Sequence, residues 1–191
     1  MSSNRGIAVA LSTLVLAATA MIGSGPATAE VAKCDGLEVT VFGAGQIDGT
    51  AGDDVIRGSS GGDVIDGKGG RDTICGLGGD DVIYGGQGRD TIFGDAGADY
   101  LYGEGPSSLV VTGGADEIHG GDGVDYLKGQ IGDDELFGEA DDDTIFGGDG
   151  NDFIAGGVGL VETTGTEADL CIGDSGLDVI IPMPDCEQVI Q

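Results

Sequence analysis

Between Gly49 and Ile181 an aliphatic residue returns at a nine-residue step, flanked by neighbours that vary between polar and apolar and followed two positions later by a glycine. Numbering each unit from that glycine puts position 1 at Gly49, Gly58, Gly67, Gly76, Gly85, Gly94, Gly103, Gly120, Gly129, Gly138, Gly147, Gly156 and Gly173. Position 8 is Ile56, Ile65, Ile74, Ile83, Ile92, Leu101, Ile118, Leu127, Leu136, Ile145, Ile154, Cys171 and Ile180. Positions 7 to 9 (Val-Ile-Tyr at 82, Thr-Ile-Phe at 91) are β-prone and too short for a helix. Side chains of a strand alternate between faces. Position 8 is therefore expected to point inward, and positions 7 and 9, which admit Arg57, Asp66, Glu117, Lys128 and Glu135, outward. Turn, short strand, turn, short strand closes one coil of about 18 residues. The pattern predicts an all-β fold, a parallel β-solenoid with coils about 4.8 Å apart. Glycines at positions 1 and 4, and often 2, are expected to supply the positive φ angles of tight turns.

Two units regain register only after eight extra residues, near Pro106 to Gly113 and Gly159 to Thr166. Both insertions fall after position 3, inside turns, where added chain is tolerated cheaply. They suit either plain surface loops or contacts for a partner. One lies in an odd-numbered unit and the other in an even-numbered one, so they should leave from opposite edges of the coil.

The ends read differently. Residues 1–29 carry Arg5, a mostly apolar stretch from Ile7 to Ile22, and the small-residue exit Ala27-Thr28-Ala29. That is the layout of a secretory signal peptide cleaved before Glu30. Residues 30–48 form a degenerate N-terminal cap, in which Ile47 holds position 8 but Gly45 replaces the position-6 side chain. Residues 182–191 form a C-terminal cap: Pro182 and Pro184 break the pattern and suit an unpaired sheet edge, while Val189 still falls at position 8.

Charge changes the picture. The chain has 35 acidic and 7 basic residues and a formal net charge of -28. Nucleic acid is excluded as a partner, since phosphates require Lys and Arg, and no mature segment is apolar enough for membrane insertion. The acids are ordered, because position 6 is always aspartate: Asp54, Asp63, Asp72, Asp81, Asp90, Asp99, Asp116, Asp125, Asp134, Asp143, Asp152, Asp169 and Asp178. Stacked coils align them in two columns. Carboxylates about 4.8 Å apart repel by about 3 to 4 kcal/mol at an effective dielectric near 20. A hard divalent cation between successive turns reverses that sign. Calcium takes six to eight oxygens, from carboxylates and from the carbonyls that glycine-rich turns expose, whereas magnesium wants a tight octahedron. An all-oxygen site is ill matched to zinc or copper.

The unit resembles the calcium-binding nonapeptide Gly-Gly-x-Gly-x-Asp-x-(large apolar)-x of the repeats-in-toxin (RTX) proteins, over residues 49–181. The resemblance implies a parallel β-roll in which each Ca²⁺ lies between two same-side turns, held by position-6 aspartates and turn carbonyls, with on the order of ten ions. Asp141 and Glu167 replace the position-4 glycine, and the insertions disturb the turns before Asp116 and Asp169. The layout is similar to small secreted, disulfide-containing calcium-binding proteins of actinobacterial type rather than to the large toxins.

Four cysteines allow three pairings. Cys75 and Cys171 should lie roughly 20 Å apart along the stack, too far for a bridge, which needs Cα atoms within about 7 Å. Cys34–Cys75 and Cys171–Cys186 are the expected disulfides, one at each end. His119 is the only histidine and sits at an outward position 9. With one histidine there is no two-histidine zinc-protease motif, and no Gly-x-Ser-x-Gly elbow occurs. The expectation is a secreted, non-enzymatic calcium-binding protein with a structural role. A calcium-dependent adhesion module with an extracellular or cell-surface partner is the alternative, and an extracellular lyase a more distant one.

Overall fold

A computed structural model of the chain describes residues 33–106, 113–157, 170–175, 179–180 and 188–190. Every regular element among them is a strand, so no described helix is long and apolar enough to cross a membrane. The seven odd-numbered units, with Val41–Phe42 from the N-terminal cap, build one parallel sheet of eight strands: Val41–Phe42, Val55–Arg57, Thr73–Gly78, Thr91–Ala96, Glu117–Asp122, Glu135–Ala140, Phe153–Ala155 and Val179–Ile180. The six even-numbered units, with one strand from each cap, build the other: Gln46–Asp48, Val64–Asp66, Val82–Tyr84, Tyr100–Tyr102, Tyr126–Ile131, Thr144–Asp149, Leu170–Ser175 and Gln188–Ile190. Consecutive strands thus alternate between sheets, as the 18-residue coil requires. The fold is an all-β parallel β-solenoid.

Register follows position 8. Ile56, Ile74, Ile92, Ile118, Leu136 and Ile154 pair in sequence along one sheet, and Ile47, Ile65, Ile83, Leu101, Leu127 and Ile145 along the other. These twelve residues form one continuous core, and all but Ile47 have no exposed surface. Burying each aliphatic side chain contributes about 1.5–3 kcal/mol. Because period 2 governs the strand, a slip of one residue would expose the whole file. Beyond the second insertion the same register pairs Cys171 with Val189. The eight extra residues of the first insertion leave the pairing intact: Tyr102 pairs with Lys128 and Thr91 with Glu117. Residues 107–112 and 158–169, which hold most of both insertions, lie outside the described residues, as do 1–32 with the leader reading.

The turns correct the expected role of one glycine. Positive φ occurs at position 2 (Gly86, Gly121, Gly148 and Gly157, with Lys68, Leu77, Asp95, Gln130 and Glu139) and at position 4 (Gly70, Gly79, Gly88, Gly97, Gly123, Gly132 and Gly150, with Asp141). Position 1 is not left-handed in any described unit. Its glycine is needed for close approach. A Cβ on Gly85 would meet the Gly103 carbonyl oxygen at 2.4 Å and Asp90 Oδ2 at 2.6 Å.

At the N-terminal end a short antiparallel pair, Lys33–Cys34 with Leu37–Glu38, precedes the first coil. Cys34 is bonded to Cys75, with Cα atoms 5.8 Å apart. Cys186 lies outside the described residues, and with it the Cys171–Cys186 pairing.

Outward rings stack one coil apart, as register alone dictates for position 9. Tyr84 lies on Tyr102 with centroids 5.0 Å apart. His119 is held between Phe93 and Phe137, at 5.0 and 4.8 Å.

Candidate metal site

Eleven of the thirteen position-6 aspartates fall on described residues, and all eleven are buried; Asp169 and Asp178 lie outside them. The position-8 side chain points inward, so the position-6 carboxylate two residues earlier also turns in, against the start of its own unit. In one column the N–H groups of Asp54, Asp72, Asp90, Asp116 and Asp134 donate to Oδ1 of Asp72, Asp90, Asp116, Asp134 and Asp152, at 2.8–3.0 Å. In the other, Asp63, Asp81, Asp99 and Asp125 donate to Oδ1 of Asp81, Asp99, Asp125 and Asp143, at 2.7–2.9 Å. Each rung is bonded to the rung 18 residues on, or 26 where the insertion intervenes. The sequence predicted the columns but not this backbone-to-carboxylate bond, which depends on coil-to-coil geometry.

Bonding every Oδ1 in this way leaves the other oxygen exposed to its own problem. Oδ2 of Asp72, Asp81, Asp90, Asp99, Asp116, Asp125 and Asp134 is buried and has no hydrogen-bond partner. A buried, unsatisfied charged oxygen is among the costliest features a fold can carry. Each Oδ2 also converges with a backbone carbonyl. From the flank of Gly67 where a Cβ would stand, Asp72 Oδ2 is 2.6 Å away and the Gly85 oxygen 2.3 Å; at Gly120, Asp125 Oδ2 and the Gly138 oxygen are both at 2.5 Å. Carboxylate and carbonyl oxygens turned toward one flank, with no N–H aimed at the free oxygen, form a hard donor set that fits a divalent cation such as Ca²⁺. The set is mixed: among the described residues no three His, Cys, Asp or Glu side chains come together as a metal cluster. Any ion here must draw on the turn carbonyls.

Without a cation the columns resist ionisation. Loss of water raises Asp72, Asp81, Asp125 and Asp134 from 3.8 to about 7, Asp116 to about 8 and Asp90 to about 6. The N–H bond from the preceding rung pulls the other way. Neighbouring carboxylates add to the rise, Asp54 and Asp90 on Asp72, Asp63 and Asp99 on Asp81.

The first rung of each column is built differently. Asp54 Oδ2 accepts from the Thr50 N–H at 2.7 Å and from its hydroxyl at 2.8 Å. Asp63 Oδ2 accepts from the Ser59 N–H at 2.7 Å and from its hydroxyl at 3.0 Å. Their Oδ1 atoms are met from the N-terminal cap, by the Thr40 hydroxyl for Asp54 and the Gly45 N–H for Asp63. Gly45 thus supplies the backbone half of a rung without a side chain. The hydroxyls at position 2, present in these two units alone, are the sequence signal for this self-satisfied start.

Two further groups escaped the sequence reading. Position 5, which varies from unit to unit, carries an outer set of caps: Asp53, Asp80 and Asp133 accept through Oδ1 from the N–H groups of Arg71, Ala98 and Asn151. Glu104, at position 2 of the unit with the first insertion, is fully buried. Burial raises its carboxyl from 4.5 to about 7, and the charges of Asp134 and Asp90 add to that. The outward His119 has Nδ1 2.8 Å from Glu139 Oε1 and Nε2 3.3 Å from Glu117 Oε1.

Comparison with known proteins agrees with this geometry. Four copies of the RTX calcium-binding nonapeptide repeat match residues 41–74, 76–105, 107–136 and 128–159. No curated protein matches the chain. The matched segments take in well over half of the 191 residues and span the described aspartate columns, and the chain belongs to the RTX calcium-binding nonapeptide repeat family.

Proposed function

We propose that this protein is a secreted calcium-binding β-roll, that multiple Ca²⁺ ions drive its folding, and that it serves an extracellular structural role without catalysis. One observation carries the reading: seven buried aspartate oxygens, in two columns, have no protein partner. A divalent ion at each turn neutralises them and cross-links successive coils. Binding free energy then becomes folding free energy, as in other metal-coupled domains. Extracellular modules bind calcium at about 10⁻⁴ to 10⁻³ M, so the chain would stay unfolded inside the cell and fold on export. The Cys34–Cys75 disulfide supports an oxidising destination.

Circular dichroism of the mature chain tests this. Calcium at millimolar concentration should convert a coil spectrum to a β spectrum, and magnesium should hardly change it. A β spectrum indifferent to chelation would sink the reading. Secretion is tested separately, by recovering the protein from the medium with Glu30 as its first residue.

A recognition role is the second reading, favoured by one surface feature. Val64, Val82, Tyr100 and Tyr126 pair in register as an outward apolar stripe of one sheet, with Val64 and Tyr100 46% and 51% exposed. If the stripe binds a partner, Val64→Ser with Tyr100→Ser should abolish calcium-dependent capture while leaving the β spectrum unchanged.

A further inference from the structure

Position 2 of the repeat follows a rule with three exceptions. In nine described units it is left-handed. In three it is not, at Thr50, Ser59 and Glu104. At Thr50 and Ser59 the side chain turns in and its hydroxyl donates to the Oδ2 of its own unit's aspartate. At Glu104 the side chain also turns in, to complete burial, but it ends in a carboxylate. An ionised carboxylate only accepts, so it cannot do for Asp116 what the hydroxyls do for Asp54 and Asp63. Asp116 Oδ2 is accordingly one of the oxygens without a partner.

The surroundings are rich in oxygen. Where a Cβ would stand on Gly103, Asp116 Oδ2 lies at 2.4 Å and the Gly129 carbonyl oxygen at 2.5 Å. Beside Gly113, Glu104 Oε1 and the Ile131 carbonyl oxygen come so close that no side chain could stand there. Glu104 Oε1 accepts from the Gly114 N–H and Oε2 from the Ile131 N–H, each at 3.3 Å. A carboxylate offers about four lone-pair sites, so these two long bonds leave capacity on both oxygens.

We propose that Glu104 is a calcium ligand, an additional carboxylate that joins Asp116 and the turn carbonyls in one site more anionic and tighter than the regular rungs. The inference rests on the calcium reading above and deepens it: the repeat alone supplies no side chain from position 2. Calcium affinity rises with the number of charged ligands, so this turn should fill first.

Calcium titration of the full chain by calorimetry, with circular dichroism to verify folding, decides it. Glu104→Gln should weaken one site roughly tenfold or more while the other ions still bind. Glu104→Thr, which restores the hydroxyl arrangement of Thr50, should lower the stoichiometry by one and keep the β spectrum. Unchanged affinity and stoichiometry in both variants would overturn the assignment. Should neither variant fold, a crystal structure of the calcium-loaded wild type decides, by whether an ion lies within about 2.6 Å of a Glu104 oxygen. Ions along the columns with Glu104 bonded only to backbone N–H groups sink this inference alone, whereas ions nowhere sink the calcium reading itself.

Discussion

Acid should substitute for calcium. In the folded, metal-free chain Asp72, Asp81, Asp125 and Asp134 ionise near 7, Asp116 near 8 and Asp90 near 6, against 3.8 when exposed. At 1.36 kcal/mol per unit the rise at Asp72 is about 4 kcal/mol. Because neighbouring rungs contribute to one another's rise the six do not simply add, yet a few such groups already rival the stability of a whole domain. Natural domains are stable by only about 5–15 kcal/mol. With these groups charged and no cation present, the folded state cannot persist. Because the folded values lie above the unfolded ones, the native chain holds more protons than the coil between about pH 4 and pH 8. Stability is therefore fully present below the unfolded value and is lost as pH rises through 6 to 8. The assay is circular dichroism of mature protein passed over a chelating resin, so that no soluble chelator confuses the pH series. The expected result is coil at pH 8 and a β spectrum gained by pH 5. A β spectrum at pH 8, or a coil that persists at pH 5, refutes the idea that desolvated charge is the barrier to folding.

Three other outcomes follow from the same geometry. Gly85→Ala drives a methyl group to 2.4 Å from the Gly103 oxygen and 2.6 Å from Asp90 Oδ2, and should cost ~3 kcal/mol or more and one bound ion; Gly61→Ala, with open space around its Cβ, should stay within about 0.5 kcal/mol of wild type in calcium-loaded thermal melts. Ile92→Ala, at a site with no exposed surface, should lose about 2–5 kcal/mol, read by denaturant titration at saturating calcium. Reducing Cys34–Cys75, which closes a span of 41 residues, should remove about 4 kcal/mol and raise the calcium midpoint of folding.

The parts of this structure legible in the sequence are those fixed by period. Ile56 to Ile154 on the inward face, Asp54 to Asp152 in two columns, and Tyr84 over Tyr102 all follow once the nine-residue step is read as half a coil. What the step does not carry is the contact between coils. Position-1 glycine looked like a turn residue because glycine usually is one. Its reason is the neighbouring coil's carbonyl and its own unit's aspartate, neither adjacent in sequence. The outer caps at Asp53, Asp80 and Asp133 were hidden because position 5 varies, and each acts on a backbone N–H that every residue type but proline supplies. His119 was legible as outward, but its place between Phe93 and Phe137 required the register. Glu104 was the hardest to see. At position 2 a glutamate reads as surface, and Glu139, left-handed at that same position in another unit, is indeed half exposed on its side chain.

The direction of the bonds between rungs gives the stack a polarity. Each coil's amide is completed by a carboxylate that arrives only with the following turn, while the leading edge is already closed by Thr40, Gly45, Thr50 and Ser59. A lesion is therefore felt upstream: Asp116→Ala strips the acceptor from the Asp90 N–H but leaves the Asp134 N–H with its bond to Asp152. The array behaves like a zip whose teeth lock backward, and a chain emerging amino end first presents them in the order in which they engage.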